Sequence, residues 1–177
     1  MSFLLLTQDT AILPTELLPA MKRHGRIDGT DDDDTVKEKL AQAIDRLQTR
    51  ANIRIVPTTY RWTPAQAEFC NGMARVPYPP VNAFAVTIAG TPSPDYGLDL
   101  RALDGAPITY LTGAWASGMV VEITAGFATA NDLPASLTDA IERTAAHLFE
   151  HRDLLITGSD FVSPDFASDL TWWMPRA

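Results

Sequence analysis

From Val36 to Ala51 the apolar residues recur at spacings of three and four: Val36, Leu40, Ala43, Ile44, Leu47 and Ala51. That period lays one apolar stripe along a helix. Lys37, Glu38, Gln42, Asp45, Arg46 and Arg50 fill the other face, and an acidic start and basic end suit the helix dipole. A second stripe follows Pro134, at Leu137, Ala140, Ile141, Thr144, Ala145, Leu148 and Phe149. It predicts a C-terminal helix that ends near Asp153 to Ile156, before Gly158. A shorter helix is predicted from Pro14 to about His24, because proline suits the first helical turn and Gly25 and Gly29 break the run.

Between these helices the texture becomes β-branched and aromatic. Ile53 to Val56 and Thr58 to Trp62 carry it, with Pro57 between them. Val81 to Ala89 alternates as a strand does, and further short strands are predicted near Tyr96 to Arg101, Ile108 to Leu111 and Met119 to Thr124. Turn signals at Gly90 to Pro94, Asp104-Gly105 and Ser117-Gly118 separate them. The pattern predicts an α+β fold. Residues 1–52 and 127–158 form a small helical core of two N-terminal helices and one C-terminal helix. Residues 53–126 form an inserted β-rich module, and residues 159–177 form an extended C-terminal tail.

Composition changes this picture little. At 177 residues and 46% apolar the chain can bury a real core. Its formal net charge of −8 argues against a broad basic face that grips nucleic acid. One cysteine, Cys70, allows neither an intrachain disulfide nor a thiolate metal cluster, and the reducing cytoplasm is its natural compartment. The apolar run Phe3-Leu4-Leu5-Leu6 lacks a basic flank and is not read as a signal peptide, and no stretch reaches membrane-span length.

Candidate chemistry is thin. His147-Leu148-Phe149-Glu150-His151 matches the inverted zincin pattern H-x-x-E-H, in which two histidines one helical turn apart bind a metal. No glutamate follows His151 to serve as third ligand. Asp153, Asp160, Asp165 and Asp169 are the available substitutes, and Arg152 disfavours a cation. A solvated helix end is the preferred reading. Asp31 to Asp34 are four consecutive aspartates without the spacing of a calcium loop, and they read as a helix N-cap with favourable first-turn charge. His24, beside Lys22 and Arg23, reads as a capping or subunit contact. No nucleophile elbow or phosphate-cradling loop is present, and Cys70 has no flanking histidine. Trp172-Trp173 stand in a proline-flanked tail, where they dock either on the chain's own core or on a partner.

Two stretches carry a resemblance. The first is Ala20 to Asp28, followed by Asp31 to Asp34 and the long amphipathic helix. The second runs from Val120-Val121-Glu122-Ile123-Thr124-Ala125-Gly126-Phe127 through Leu133-Pro134 to His147-Leu148-Phe149-Glu150-His151-Arg152. In this order they resemble the head–tail connector (adaptor) proteins of tailed phages and phage-derived gene transfer particles. Arg75-Val76-Pro77 through Val81 to Val86 resembles a strand of the longer members, and Leu170 to Arg176 resembles their closing segment. The Trp pair and the longer Pro77-Tyr78-Pro79-Pro80 stretch depart from the pattern.

The resemblance implies a non-enzymatic virion component with no cofactor. It implies a homo-oligomeric ring, commonly of twelve copies, at the neck of a particle made in the bacterial cytoplasm. The implied partners are the portal protein and a downstream stopper or tail-completion protein. DNA would pass through the ring without specific binding. On that reading Leu170, Trp172, Trp173 and Arg176 are candidates for portal binding, and Asp31, Asp32, Asp33 and Asp34 are candidate acidic residues facing the channel. The rival readings are a tail-completion or terminator protein, a zinc-dependent hydrolase using His147 and His151, and a small protein-binding module.

Overall fold

A computed structural model of the chain describes residues 2–103 and 106–150. Three α-helices and two antiparallel sheets make the fold α+β, as the hydrophobic periods predict. The chain divides into two compact units.

The helical unit holds residues 10–51 and the described residues from 129 onward. It contains α1 (Ile12–Gly25), α2 (Asp33–Ala51) and α3 (Ala135–Glu150), each packed on the other two. The buried stripe of α2 is Val36, Leu40, Ala43, Ile44, Leu47 and Ala51, the set that the 3–4 spacing predicts, with Gln48 added. On α3 the buried set is Leu137, Ala140, Ile141, Thr144, Ala145 and Leu148. Thr144 is tolerated there because its hydroxyl donates to the Ala140 carbonyl at 2.7 Å. Helix α1 contributes Leu13, Pro14, Leu17 and Met21. It ends where Arg26 turns left-handed at φ 50°, so that the Ile27 N–H reaches the Lys22 carbonyl at 3.0 Å. The helix includes Gly25 instead of stopping before it.

The β unit holds residues 2–9 and 52–128. Its strands are β1 (Ser2–Gln8), β2 (Thr58–Thr63), β3 (Phe69–Cys70), β4 (Met73–Arg75), β5 (Val81–Ile88), β6 (Thr91–Pro92), β7 (Gly97–Leu103), β8 (Ala106–Thr112) and β9 (Met119–Ala125). One sheet runs β1-β2-β9-β5-β6 and the other β3-β4-β8-β7. In β9 alternate residues Met119, Val121, Ile123 and Ala125 are buried, and in β2 Thr58, Tyr60 and Trp62. They share one apolar core with Ala74, Val76 and Leu111 of the second sheet's side, so each sheet buries one face against the other.

Three points depart from the sequence reading. The first eight residues, assigned to the helical core, contain β1, which pairs with β2 from Ser2 opposite Thr63 to Gln8 opposite Thr58. A run of four apolar residues has no period, so pairing with a distant strand decides it. Ile53 to Val56 is not a strand. It is a buried connection in which the Ile55 carbonyl accepts from Phe127 N–H and the Arg54 N–H donates to the Pro79 carbonyl. The β3–β4 hairpin is absent from the predicted strands, although Asn71 (φ 50°) and Gly72 (φ 74°) take the left-handed pair of values that an Asn-Gly hairpin turn requires. Asp104-Gly105 and the predicted tail, residues 159–177, lie outside the described residues.

Gly126 closes the β unit. It stands at φ +97°, and a Cβ there would sit 2.1 Å from the Val56 carbonyl oxygen and 2.6 Å from its carbon. Its N–H donates to the Pro80 carbonyl, and its own carbonyl accepts from the Asn82 amide at 2.6 Å. Gly126→Ala should therefore destabilise the protein by about 2–4 kcal/mol, through backbone overlap added to left-handed strain. Urea unfolding measures this, and a loss within experimental error would show that the loop relaxes freely. In the helical unit Leu40 is fully buried. Leu40→Ala should cost about 2–5 kcal/mol in the same assay, and an unchanged midpoint would contradict its place in the core.

Candidate functional site

The aspartate run stands at the start of α2. Asp31, Asp32 and Asp34 are exposed and Asp33 is partly buried. The helix begins at Asp33, and the Val36 N–H donates to the Asp32 carbonyl at 2.9 Å. Lys22 at the end of α1 points its ammonium at the Asp33 carboxylate (2.5 Å) and also at the Gly29 carbonyl. Asp34 lies 3.4 Å from Lys37, one turn on. The run thus staples the α1–α2 connection through Asp33 and presents exposed carboxylates at Asp31, Asp32 and Asp34.

The basic end of α1 is partly taken up inside its own unit. Besides Lys22, His24 Nδ1 approaches the Glu142 carboxylate of α3 at 3.9 Å. His147 is partly buried on α3, whereas His151 lies outside the described residues. Among the described residues no three His, Cys, Asp or Glu side chains come together as metal ligands. Cys70 is exposed at the β3–β4 hairpin. Leu170, Trp172, Trp173 and Arg176 lie outside the described residues. Among those described, no helix is long and apolar enough to cross a membrane.

The feature that the sequence reading passed over is β1. Every residue from Ser2 to Gln8 is exposed, including Phe3 (37%), Leu4 (56%), Leu5 (54%) and Leu6 (37%). Phe3 and Leu5 lie opposite buried Trp62 and Tyr60, so they extend the core side of the sheet beyond its cover. Leu4 lies opposite Arg61 on the outer side. The shelf is firmly set. Phe3 meets Tyr78 edge-on at 5.6 Å between centroids, Tyr78 meets Tyr60 at 5.9 Å, and the Arg54 guanidinium stands 4.0 Å over the Tyr78 ring. Tyr78 is held at φ 57°, a strained conformation for a large side chain, by these contacts. The Tyr60 hydroxyl donates to the Pro77 carbonyl.

A chain in the neck of an empty gene transfer agent particle, computed with C6 symmetry, is 24% identical, with a TM-score of 0.69, over 100% of this chain and 97% of that one. A chain in the virion of a native gene transfer agent particle is 23% identical with a TM-score of 0.70 over the same shares. A chain in the neck of the native particle, computed with C12 symmetry, is 20% identical with a TM-score of 0.65. No protein-family model and no curated protein matches the sequence. The likeness therefore shows a common fold that takes in both units of this chain.

Burial raises the Tyr60 phenol well above its ordinary value of 10.0, against a downward pull from Arg54 and with a further rise from Tyr78. The folded protein holds this proton more tightly than the unfolded chain does. The associated stability is complete below pH 10.0 and is lost as pH rises from there through the folded-state value. Tyr60→Phe should cost about 1 kcal/mol at neutral pH, from the lost hydrogen bond, and should flatten the alkaline decline. Denaturant unfolding from about pH 8 to about pH 11 tests this, and parallel alkaline declines in the two proteins would refute it.

Proposed function

We propose that this chain is a structural subunit of the neck of a phage-like particle, an adaptor ring that joins the portal of a DNA-filled head to the tail. The observation that supports this best is end-to-end likeness of fold to chains from gene transfer agent necks computed with C6 and C12 symmetry. A likeness confined to one unit would fit a shared module; this one spans both. The sequence resemblance to head–tail connectors, read from stretches in α1, α2, β9 and α3, points the same way.

The charge balance suits the role. A channel wall that DNA must slide past gains from weak repulsion, because counterion release then offers no sticking energy. Asp31, Asp32 and Asp34 are exposed and uninterrupted by basic residues along the chain, which makes them the candidates for a channel face. The candidate portal anchors are Leu170, Trp172, Trp173 and Arg176, since aromatic and arginine anchors dominate interface energies. A downstream stopper or tail-completion protein would occupy the opposite end of the ring.

Co-sedimentation with the portal ring encoded in the same source genome tests the reading. The full-length chain should bind saturably, and a version truncated after Gly158 should lose binding. Trp172→Ala with Trp173→Ala should weaken it by about tenfold or more. Binding to tail-tube ends, with none to the portal, would replace the adaptor reading with that of a tail-completion protein.

A further inference from the structure

We infer that β1 of one copy adds to the free edge of β5 in the next copy, so that the five-stranded sheet continues from subunit to subunit. This inference rests on the neck-ring reading and names the contact that would close the ring.

The two edges are complementary in direction. β1 is antiparallel to β2, β2 to β9, and β9 to β5. Four long strands therefore alternate, and an even number returns the alternation to its start. A second copy in the same orientation presents β1 antiparallel to β5, with the same sheet face turned the same way. This is a head-to-tail contact between two different surfaces, the type that closes into a ring when the rotation allows.

The edges also match in chemistry. Neither β1 (SFLLLTQ) nor β5 (VNAFAVTI) carries a charged residue or a proline, the usual guards of an edge strand. β6 covers β5 only at Thr87 and Ile88, and Ser93 N–H takes the Val86 carbonyl. No described strand lies beyond Val81–Ala85 on that side. On the core side of β5 stands Phe84, partly buried against the core, opposite Ile123. Continuing the sheet would bring Phe3 and Leu5 of the neighbour beside it. On the outer side Leu4 would meet Ala83 and Ala85, which are small and exposed. Irregularities at Leu6 and Asn82 confine regular pairing to Ser2–Leu5 and Ala83 onward. A short ladder of this kind yields a weak contact that gains strength from repetition around a ring.

The test uses two full-length variants. Leu5→Glu places a charge on the β1 edge, at a position already 54% exposed, so the subunit itself folds. Ala83→Lys with Ala85→Lys guards the β5 edge, and the second lysine falls opposite Glu122. Circular dichroism confirms that both fold. Sedimentation velocity is then run at the highest soluble concentration. Wild type should show species larger than monomer and each variant alone should be monomeric. The two variants mixed should form a one-to-one dimer, because each supplies the edge that the other lacks. Wild-type oligomers that persist in both variants would overturn the edge contact and leave the neck reading intact. A β5-edge variant that still dimerises alone while Leu5→Glu does not would replace it with β1-to-β1 pairing. A monomeric wild type would overturn it too, and the portal experiment would then judge the neck reading separately.

Discussion

The β unit depends on the burial of β9. It lies third in its sheet, with β2 on one side and β5 on the other, and its alternate side chains Met119, Val121, Ile123 and Ala125 point into the core shared with the second sheet. A slip of one residue in either pairing would turn those four out and bring Val120, Glu122 and Thr124 in. Glu122 instead lies outside beside Arg61, its cross-strand partner, at 3.3 Å. Burial on one face and a charge pair on the other thus enforce the same register, and the registers of β2, β5 and finally β1 follow from it.

That dependence explains the state of β1. The strand is held by β2 on one edge and by the aromatic contacts of Phe3, yet the second sheet does not extend far enough to cover it. An apolar strand left uncovered by its own subunit is a cost in the free chain. In the proposed ring it would become a recognition element, because the same side chains would leave water on contact. The helical unit presents a different kind of surface. Its apolar stripes are spent on one another, and its acidic corner at the start of α2 is secured from within by Lys22 and Asp33. Asp31, Asp32 and Asp34 stand exposed beside it.

The helices were legible in advance because a helix stripe is a local property. The residues that the 3–4 spacing selects on α2 and α3 are the residues that are buried, and Phe149 alone falls to partial burial, at the last turn. The long strands were legible for the same reason, since β5 and β9 alternate or run apolar between turn residues. The candidate surfaces were less so. The aspartates were visible as a charge run, but their division into one stapling carboxylate and three exposed ones depends on where α1 ends. Nothing in Phe3-Leu4-Leu5-Leu6 says that it pairs with residues 58–63, more than fifty positions away.

By itself the sequence determined the three helices, the longer inserted strands and the class of the fold, because period and turn residues act over a few neighbouring positions. Only the tertiary structure decided which strand became an uncovered edge, which aspartate met Lys22 and why Gly126 must be glycine. Those outcomes turn on contacts between residues far apart in the chain: β1 with β2, Lys22 with Asp33, and Gly126 with the carbonyl of Val56. Contacts of that kind are selected by burial and backbone pairing in three dimensions, and they leave no periodic trace in one.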